Sequence, residues 1–203
     1  MSELTAAEAS ARDSLDLEAE VSVSCVGRGF VSIAQVPDLH RLTNLRRLCL
    51  HGNNIAHIDG LTGLTALVDL NLSSNAVSAI DAGALRGLTR LTSLNLASNR
   101  LQTVTGLDGL SNLETLNLSF NYITSIAGLA ALAGPLCKLK NLNLKQNQLH
   151  NLQAFSVLVG CMGLRWLQVA GNPVCSLPNY AQALASVLSQ VGEGTWKRVP
   201  TRA

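Results

Sequence analysis

The sequence predicts an α/β solenoid with a curved parallel sheet on its concave face and short 3₁₀ or irregular arcs on its convex face. The main observation is one short pattern that recurs six times at nearly constant spacing. Between copies, aliphatic residues continue at every third position, as in IAHIDGLTGL from Ile55 and LQTVTGLDGL from Leu101. A period of three suits 3₁₀ turns better than a regular α-helix.

The repeated pattern is LxxLxLxxNxΦ, where Φ is aliphatic. Its copies are LRRLCLHGNNI from Leu45, LVDLNLSSNAV from Leu67, LTSLNLASNRL from Leu91, LETLNLSFNYI from Leu113, LKNLNLKQNQL from Leu139 and LRWLQVAGNPV from Leu164. The asparagines lie 22, 24, 22, 26 and 25 residues apart, at Asn53, Asn75, Asn99, Asn121, Asn147 and Asn172. Such a unit cannot bury its apolar face alone, so the copies are expected to stack.

The asparagine in each copy is predicted to be structural. In the copy from Leu67, the alternation of a strand points Leu70 and Leu72 inward, and the chain then has to turn. A buried turn leaves backbone groups that need hydrogen-bond partners. Because an amide side chain both donates and accepts, a stack of asparagines can satisfy one turn after another.

The two ends of the array differ from its middle. VSVSCVGRGFVSI, from Val21, reads as a degenerate first unit in which Arg28 takes the asparagine position. At the other end, Asn179 and Gln182 suggest a capping box for a helix stopped by Gly192. We therefore divide the chain into an acidic leader (1–20), repeats (21–172), a helical cap (173–191) and a tail (192–203).

Side chains between the inward leucines of each strand are predicted to face the concave side. The central column is Cys49, Asn71, Asn95, Asn117, Asn143 and Gln168; one flank includes Arg47, Asp69 and Trp166, and the other includes Lys145. These residues are rich in amides and carry little charge. They suit either a protein-binding face or a sheet surface that is simply solvated.

Three aromatic residues stand out because aromatics form only 3% of the chain. Trp166 is predicted to project onto the concave flank as a contact residue, since Trp and Tyr are frequent interface anchors. Tyr122 is placed on the rim. Phe120 is interpreted as a turn-packing residue in a phenylalanine spine.

Composition narrows the function classes. Residues 1–20 carry six acids and one arginine, a net charge of −5. Because the whole chain has a net charge of +2, residues 21–203 carry a net charge of +7. The basic residues are dispersed and do not form the stripe that direct nucleic-acid binding usually shows. No membrane span or signal peptide is apparent, so we expect a cytoplasmic monomer. The five cysteines are interpreted as reduced thiols.

No catalytic or metal-binding constellation is apparent. The histidines His40, His51, His57 and His150 fall in different units and share no carboxylate or cysteine spacing. Phosphate-loop, dinucleotide and nucleophile motifs are absent from the sequence. We therefore expect a chain that is not an enzyme and that uses no cofactor.

The pattern resembles leucine-rich repeats, most closely the short-period class typified by a regulatory subunit of a nuclear protein phosphatase. LAALAGPLCKLK from Leu129, NPVCSLPNY from Asn172 and CVGRGFVSI from Cys25 are also similar to the N-terminal repeat domain of the leucine-rich-repeat and coiled-coil centrosomal proteins. That resemblance implies a docking domain at centrosomes or basal bodies, acting in centriole, cilium or spindle organisation. Members of that family continue into a long coiled coil, for which no heptad array exists here.

Two other functions stay open at this point. The short-period class includes subunits that bind a protein phosphatase, and it also includes ribonucleoprotein components that bind an RNA-recognition protein. In each case the resemblance implies a protein partner on the concave face, and no direct contact with nucleic acid.

Overall fold

The computed structural model describes residues 21–134 and 136–189. Seven short strands form one parallel sheet in chain order. They are β1 (Ser22–Ser24), β2 (Arg47–Cys49), β3 (Asp69–Asn71), β4 (Ser93–Asn95), β5 (Thr115–Asn117), β6 (Asn141–Asn143) and β7 (Trp166–Gln168). The predicted α/β solenoid, with one strand per repeat, is confirmed.

The register of the sheet follows the repeat without a slip. The middle residues of the strands pair in one row, namely Val23, Leu48, Leu70, Leu94, Leu116, Leu142 and Leu167. All seven are buried. Because side chains alternate along a strand, the residues on either side of this row face the opposite, concave surface.

The core is continuous from coil to coil. In the coil that begins β3, the buried aliphatics are Leu67, Leu70, Leu72, Val77, Ile80, Leu85 and Leu88. The coils that contain β4 and β5 repeat this set, and all the coils pack on their neighbours in one cluster. Stacking therefore supplies the burial that a single coil lacks.

The convex arcs contain 3₁₀ turns, as their period of three predicts. The 3₁₀ segments are Ile33–Gln35, Leu39–Arg41, Ala127–Ala131, Leu152–Gly160 and Pro173–Ser176. Neighbouring arcs approach closely at Gly128, where a Cβ would overlap the Val104 carbonyl oxygen. Only glycine fits at that position without a backbone shift.

The degenerate first coil is tied to the second by side chains. Arg28 occupies the asparagine position, since Asn53 donates to Cys25 O and accepts from Phe30 N as later asparagines do with later coils. Asp59 of the second coil accepts from Ser32 Oγ at 2.7 Å and from Ile33 N at 3.0 Å. These bonds hold the first arc against its neighbour.

A single α-helix, α1 (Tyr180–Ser189), follows the last coil in the described chain. It buries Tyr180, Leu184 and Leu188 and packs against Leu152–Gly160. Asn179 precedes the helix as predicted, and its backbone carbonyl accepts the Ala183 N–H, but the capping box predicted there is wrong, because its φ of 56° is left-handed and not extended. The leader 1–20, the tail 192–203 and the helix end predicted at Gly192 lie outside the described residues.

Candidate binding surface on the concave face

The six repeat asparagines form a ladder of hydrogen bonds through the solenoid. Each Nδ2 donates to the carbonyl three residues earlier in its own coil and to the matching carbonyl of the preceding coil. For Asn99 these are Leu96 O at 3.1 Å and Leu72 O at 2.9 Å. Each Oδ1 accepts a backbone N–H from the preceding coil, as Asn99 does from Val77 at 3.0 Å. One side chain therefore satisfies three backbone hydrogen-bonding groups in two coils.

The ladder lies in the interior of the molecule. Asn53, Asn99, Asn121, Asn147 and Asn172 are buried, and Asn75 is half-buried. Every member accepts from the coil before it at 3.0 or 3.1 Å. The asparagine ladder thus sets the spacing of the strands from which the concave side chains project.

A second set of asparagines lines the middle of the concave face. The central column is Cys49, Asn71, Asn95, Asn117, Asn143 and Gln168, paired in register on neighbouring strands. In each of its four asparagines, Oδ1 accepts the backbone N–H two residues later, at 3.0 or 3.1 Å. Sequence reasoning missed this local turn, although an asparagine two residues before a turn is its usual signal.

The Nδ2 atoms of these four asparagines have no hydrogen-bond acceptor within the described part of the chain. Neighbouring parallel strands lie about 4.8 Å apart, so the four donors repeat at about that distance. We call this set the donor column: Asn71, Asn95, Asn117 and Asn143. It offers a regular row of amide N–H groups to an acceptor outside the chain.

The first flank of the face carries its charge. Burial raises the pKa of Asp69 above its usual value, and the Arg47 guanidinium beside it partly offsets that effect. Further along, Lys140 Nζ forms an ion pair with Glu114 at 2.7 Å. Lys140 and Glu114 thus neutralise each other, and Arg47 offsets part of the charge of Asp69, so the net charge beside the donor column is small.

The end of the face near β7 is aromatic. Trp166 is 37% exposed and lies opposite Asn141 in the sheet register. Beside it, Gln168 Oε1 is buried without a hydrogen-bond partner among the described residues. A bound partner can pack on the exposed indole and donate a hydrogen bond to the unpaired amide oxygen.

The opposite flank is small and polar. Its positions are His51, Ser73, Ala97, Ser119, Lys145 and Ala170. His51 Nδ1 lies 2.9 Å from Ser73 Oγ, and the hydroxyls of Ser73 and Ser119 donate to the Oδ1 atoms of Asn71 and Asn117 at 2.7 and 2.8 Å. These hydroxyls strengthen the turn at the strand exits.

Comparisons with known proteins agree with this geometry. A family model described as leucine rich repeat matches residues 43–101 and again 65–123, and a second model, for two copies of such repeats, matches residues 111–157. The crystal structure of an internalin C2 from Listeria monocytogenes is 32% identical and covers 81% of this chain and 70% of its own, with a TM-score of 0.66. This chain belongs to the leucine-rich repeat family.

Other solved structures agree on the fold of the leucine-rich repeat chain. A TLR13–ssRNA13 complex is 34% identical over 73% of this chain, with a TM-score of 0.66, and the match spans 21% of the TLR13 chain. An internalin from Listeria monocytogenes, inlF, covers 93% of this chain and 63% of its own at 22% identity and a TM-score of 0.58, which supports the fold alone. No curated protein sequence matches the chain.

The structure corrects the interpretation of Phe120 in this leucine-rich repeat chain. The predicted phenylalanine spine would bury the ring, but Phe120 is 50% exposed and has a left-handed φ of 56°. That conformation turns the side chain away from the core, and Lys145 Nζ lies 5.6 Å from the ring centroid. The signal was present in the repeat, because the equivalent residues are the small or polar Gly52, Ser74, Ser98, Gln146 and Gly171.

Two cysteines meet although no paired cysteine motif occurs in the chain. A hydrogen bond from the Cys161 thiol lowers the pKa of Cys137 to about 6, against the opposing effect of burial. The same hydrogen bond and burial raise the pKa of Cys161. Cys137 lines a cavity of about 280 Å³ beside Leu110, Leu136 and Lys138. The two residues are 24 positions apart, close to one repeat, which explains why they are neighbours.

Other chemistry is not assembled in the part of the leucine-rich repeat chain that the structure describes. No group of three or more His, Cys, Asp or Glu side chains is placed to hold a metal ion among residues 21–134 and 136–189. Over the same residues, no helix has the length and apolar character needed to span a bilayer. A repeat scaffold of this kind is typically a noncatalytic surface for protein interaction.

Proposed function

We propose that this chain is a noncatalytic adaptor that holds a protein partner on its concave face. The donor column is the observation that supports this most directly, because its Nδ2 groups are held in a rigid row and have no acceptor in the described chain. Fixed donors bind with little loss of side-chain entropy. Trp166, at the end of the same face, supplies the aromatic anchor.

The spacing of the donor column favours a helical partner segment. Donors repeat at about 4.8 Å, the separation of parallel strands. Carbonyls on one edge of an extended segment would repeat at about 6.6 Å, twice the rise per residue, whereas a helix brings one face back every 5.4 Å or so. A helix carrying Gln, Glu or Asp about once per turn therefore matches the column better.

A double substitution tests the concave face without disturbing the turns. In N71D/N117D the carboxylates keep the oxygen that accepts the backbone N–H, but they lose the outward donors and add charge. The two positions are separated by β4, so they lie about 10 Å apart and repel each other little in physiological salt. Recovery of bound proteins from cell extracts, quantified by mass spectrometry against wild type, should fall at least tenfold for specific partners.

Trp166→Ala offers a second variant on the same face. An interface anchor typically contributes about 2 kcal/mol, which corresponds to a loss of roughly 30-fold in affinity. Ser78→Ala, an exposed position beyond the concave face, is the matched control and should leave recovery unchanged. If both concave variants recover the same proteins as wild type, the proposed face is wrong.

We further propose that this adaptor docks at centrosomes or basal bodies, in the cytoplasmic cytoskeleton. The resemblance of the segments from Leu129 and Asn172 to the centrosomal repeat domain supports this address. The test is to image a fluorescently tagged chain beside a centriole marker in dividing and ciliated cells. A focused signal at centrioles supports the proposal, and a diffuse signal contradicts it.

Two further experiments separate the other functions that the repeat class suggests. Retention of a protein phosphatase catalytic subunit at micromolar concentration would favour the regulatory role. A nuclear signal with association that RNase abolishes would favour the ribonucleoprotein role. Either result would leave the proposal of a concave binding face intact and would change only the proposed cellular location and partner.

A further inference from the structure

Two exposed aromatic side chains lie on one rim of the solenoid, at the border of the concave face. Phe120 is 50% exposed and Tyr122 is 53% exposed, on either side of the ladder residue Asn121. Lys145 lies over the Phe120 ring at 5.6 Å from its centroid. Arg100 occupies the position equivalent to Tyr122 in the preceding coil. We call these four residues the aromatic rim.

The conformation of Phe120 makes the aromatic rim unusual. All six coils turn through positive φ at this point, at Gly52, Ser74, Ser98, Phe120, Gln146 and Gly171. A left-handed conformation is favourable for glycine and tolerable for small polar residues, but it is strained for a bulky one. Since the ring is half-exposed, its burial in the core adds little stability to offset this strain. Strain that the fold does not need points to a contact with something outside it.

The backbone of the aromatic rim is rigid. Phe120 N donates to Lys145 O at 2.8 Å, and Tyr122 N donates to Leu101 O at 2.9 Å. Hydrogen bonds thus tie the rim to the coil on each side, and the ladder holds Asn121 between the two aromatics. Both rings therefore project from a fixed backbone, which lowers the entropic cost of binding.

Charge along this edge has one sign. The six equivalent stretches, residues 51–56, 73–78, 97–102, 119–124, 145–150 and 170–175, contain Arg100 and Lys145 and no Asp or Glu. Both cations belong to coils that flank the two aromatics. A partner that fits this edge therefore carries carboxylates near an apolar side chain.

We infer that the aromatic rim is a second protein-binding surface, distinct from the donor column, for an acidic segment with an apolar side chain. The apolar side chain packs on Phe120 and Tyr122, and the carboxylates pair with Lys145 and Arg100. Lys145 also belongs to the flank of the concave face, but the donor column and Trp166 play no part in this contact. The inference thus goes beyond the proposed adaptor role and can hold or fail independently of it.

Phe120→Asn is the variant that isolates the rim. Asparagine accepts the left-handed conformation more readily than phenylalanine, so the substitution removes the ring while keeping the turn. Its urea unfolding midpoint should equal or exceed that of wild type, which separates loss of binding from loss of folding. Ser98→Asn places the same side chain at the equivalent turn one coil away and serves as the matched control.

The experiment selects twelve-residue peptides from a display library on the full chain and measures their affinity by fluorescence anisotropy. We expect enriched peptides to be rich in Asp and Glu and to carry an aromatic or aliphatic residue. They should bind F120N at least tenfold more weakly, bind S98N like wild type, and weaken as salt is raised. K145E should weaken them by a similar factor.

Several results would overturn the inference. The inference is wrong if no enriched peptide distinguishes F120N from wild type. It is also wrong if the enriched peptides are basic or uncharged. A peptide that loses affinity for N71D/N117D but not for F120N belongs to the concave face, so it would support the proposed function and contradict the rim. A twelve-nucleotide single-stranded oligouridine that binds wild type and not F120N, with no such peptide found, would assign the rim to RNA instead.

Discussion

Asn121 Oδ1 accepts the backbone N–H of Leu101, one coil earlier, at 3.0 Å. Its Nδ2 donates to the carbonyls of Leu96 and Leu118, both at 3.0 Å. A single buried amide thus joins two coils through three backbone groups. These bonds explain why the pattern requires an asparagine among its leucines, since no apolar residue can fill the same role.

Replacing Asn121 with alanine should lower the free energy of unfolding by about 1–3 kcal/mol, because the Leu101 N–H and two carbonyls lose their partner in a buried site. Urea denaturation followed by circular dichroism measures this change. Asn54→Ala, at an exposed position next to the ladder, is the control and should change stability by less than about 0.5 kcal/mol. Equal effects of the two substitutions would contradict the structural role of the ladder.

Aspartate should distinguish the two kinds of asparagine. In the ladder, Asn99→Asp loses both Nδ2 donors and buries a charge without a partner, which we expect to cost about 3–5 kcal/mol at pH 7. In the donor column, N71D/N117D keeps every hydrogen bond that the structure shows at those residues and should cost less than about 1 kcal/mol. Unfolding in urea at pH 7 compares them, and a concave variant as unstable as N99D would refute the assignment of donors and acceptors.

This contrast also shows how far the sequence alone reaches. The spacing of Asn53 to Asn172 predicts the strands, their order and the inward leucines, because every coil repeats the same hydrogen bonds. The same pattern does not show which side-chain atoms of Asn71 or Asn117 are already hydrogen-bonded, since this depends on the backbone two residues later. Whether a concave amide is free to bind a partner therefore had to come from the structure.

The orientation of Phe120 was predicted wrongly, and the contact of Cys137 with Cys161 was missed, for different physical reasons. The pattern locates Phe120 beside Asn121, but a left-handed φ reverses the direction of its side chain, and apolar character alone suggests burial. Cys137 meets Cys161 through the lengthened arc that precedes β6. The two thiols are separated in the sequence by nearly one repeat. Short motifs such as CxxC do not include that spacing.

Asp69 should make stability depend on pH in a defined direction. Burial raises its folded pKa above the ordinary value of 3.8, so the folded state holds the proton more tightly than the unfolded state. Its contribution to stability is therefore full below 3.8 and is lost as the pH rises through the folded pKa. We expect Asp69→Asn to be more stable than wild type at pH 7, with the gap closing as the solution is acidified. Urea midpoints across this range measure the difference, and a gap that widens in acid would contradict the burial of this carboxyl.

Cys137 should be the most reactive thiol in the chain near neutral pH. Because the hydrogen bond from Cys161 lowers its pKa to about 6, more of it is thiolate at pH 7 than of an ordinary thiol, which is only a few per cent ionised. Iodoacetamide labelling read by mass spectrometry should modify Cys137 before Cys49 or Cys175. Cys161→Ala removes the hydrogen-bond donor, so it should raise the pH at which Cys137 is half-reactive. Equal labelling rates in the two proteins would show that Cys161 does not activate its neighbour.

The most direct test of the adaptor proposal places a photo-crosslinking amino acid on each face of one coil and irradiates living cells. Ser93, in the middle of the concave sheet, is the test position, and Asp108, exposed on the arc that follows β4, is the control. A protein that binds the concave face should give discrete crosslinked species from position 93 and none from position 108. Crosslinks from position 108 alone, or the same species from both positions, would contradict the proposal that the concave face holds the partner.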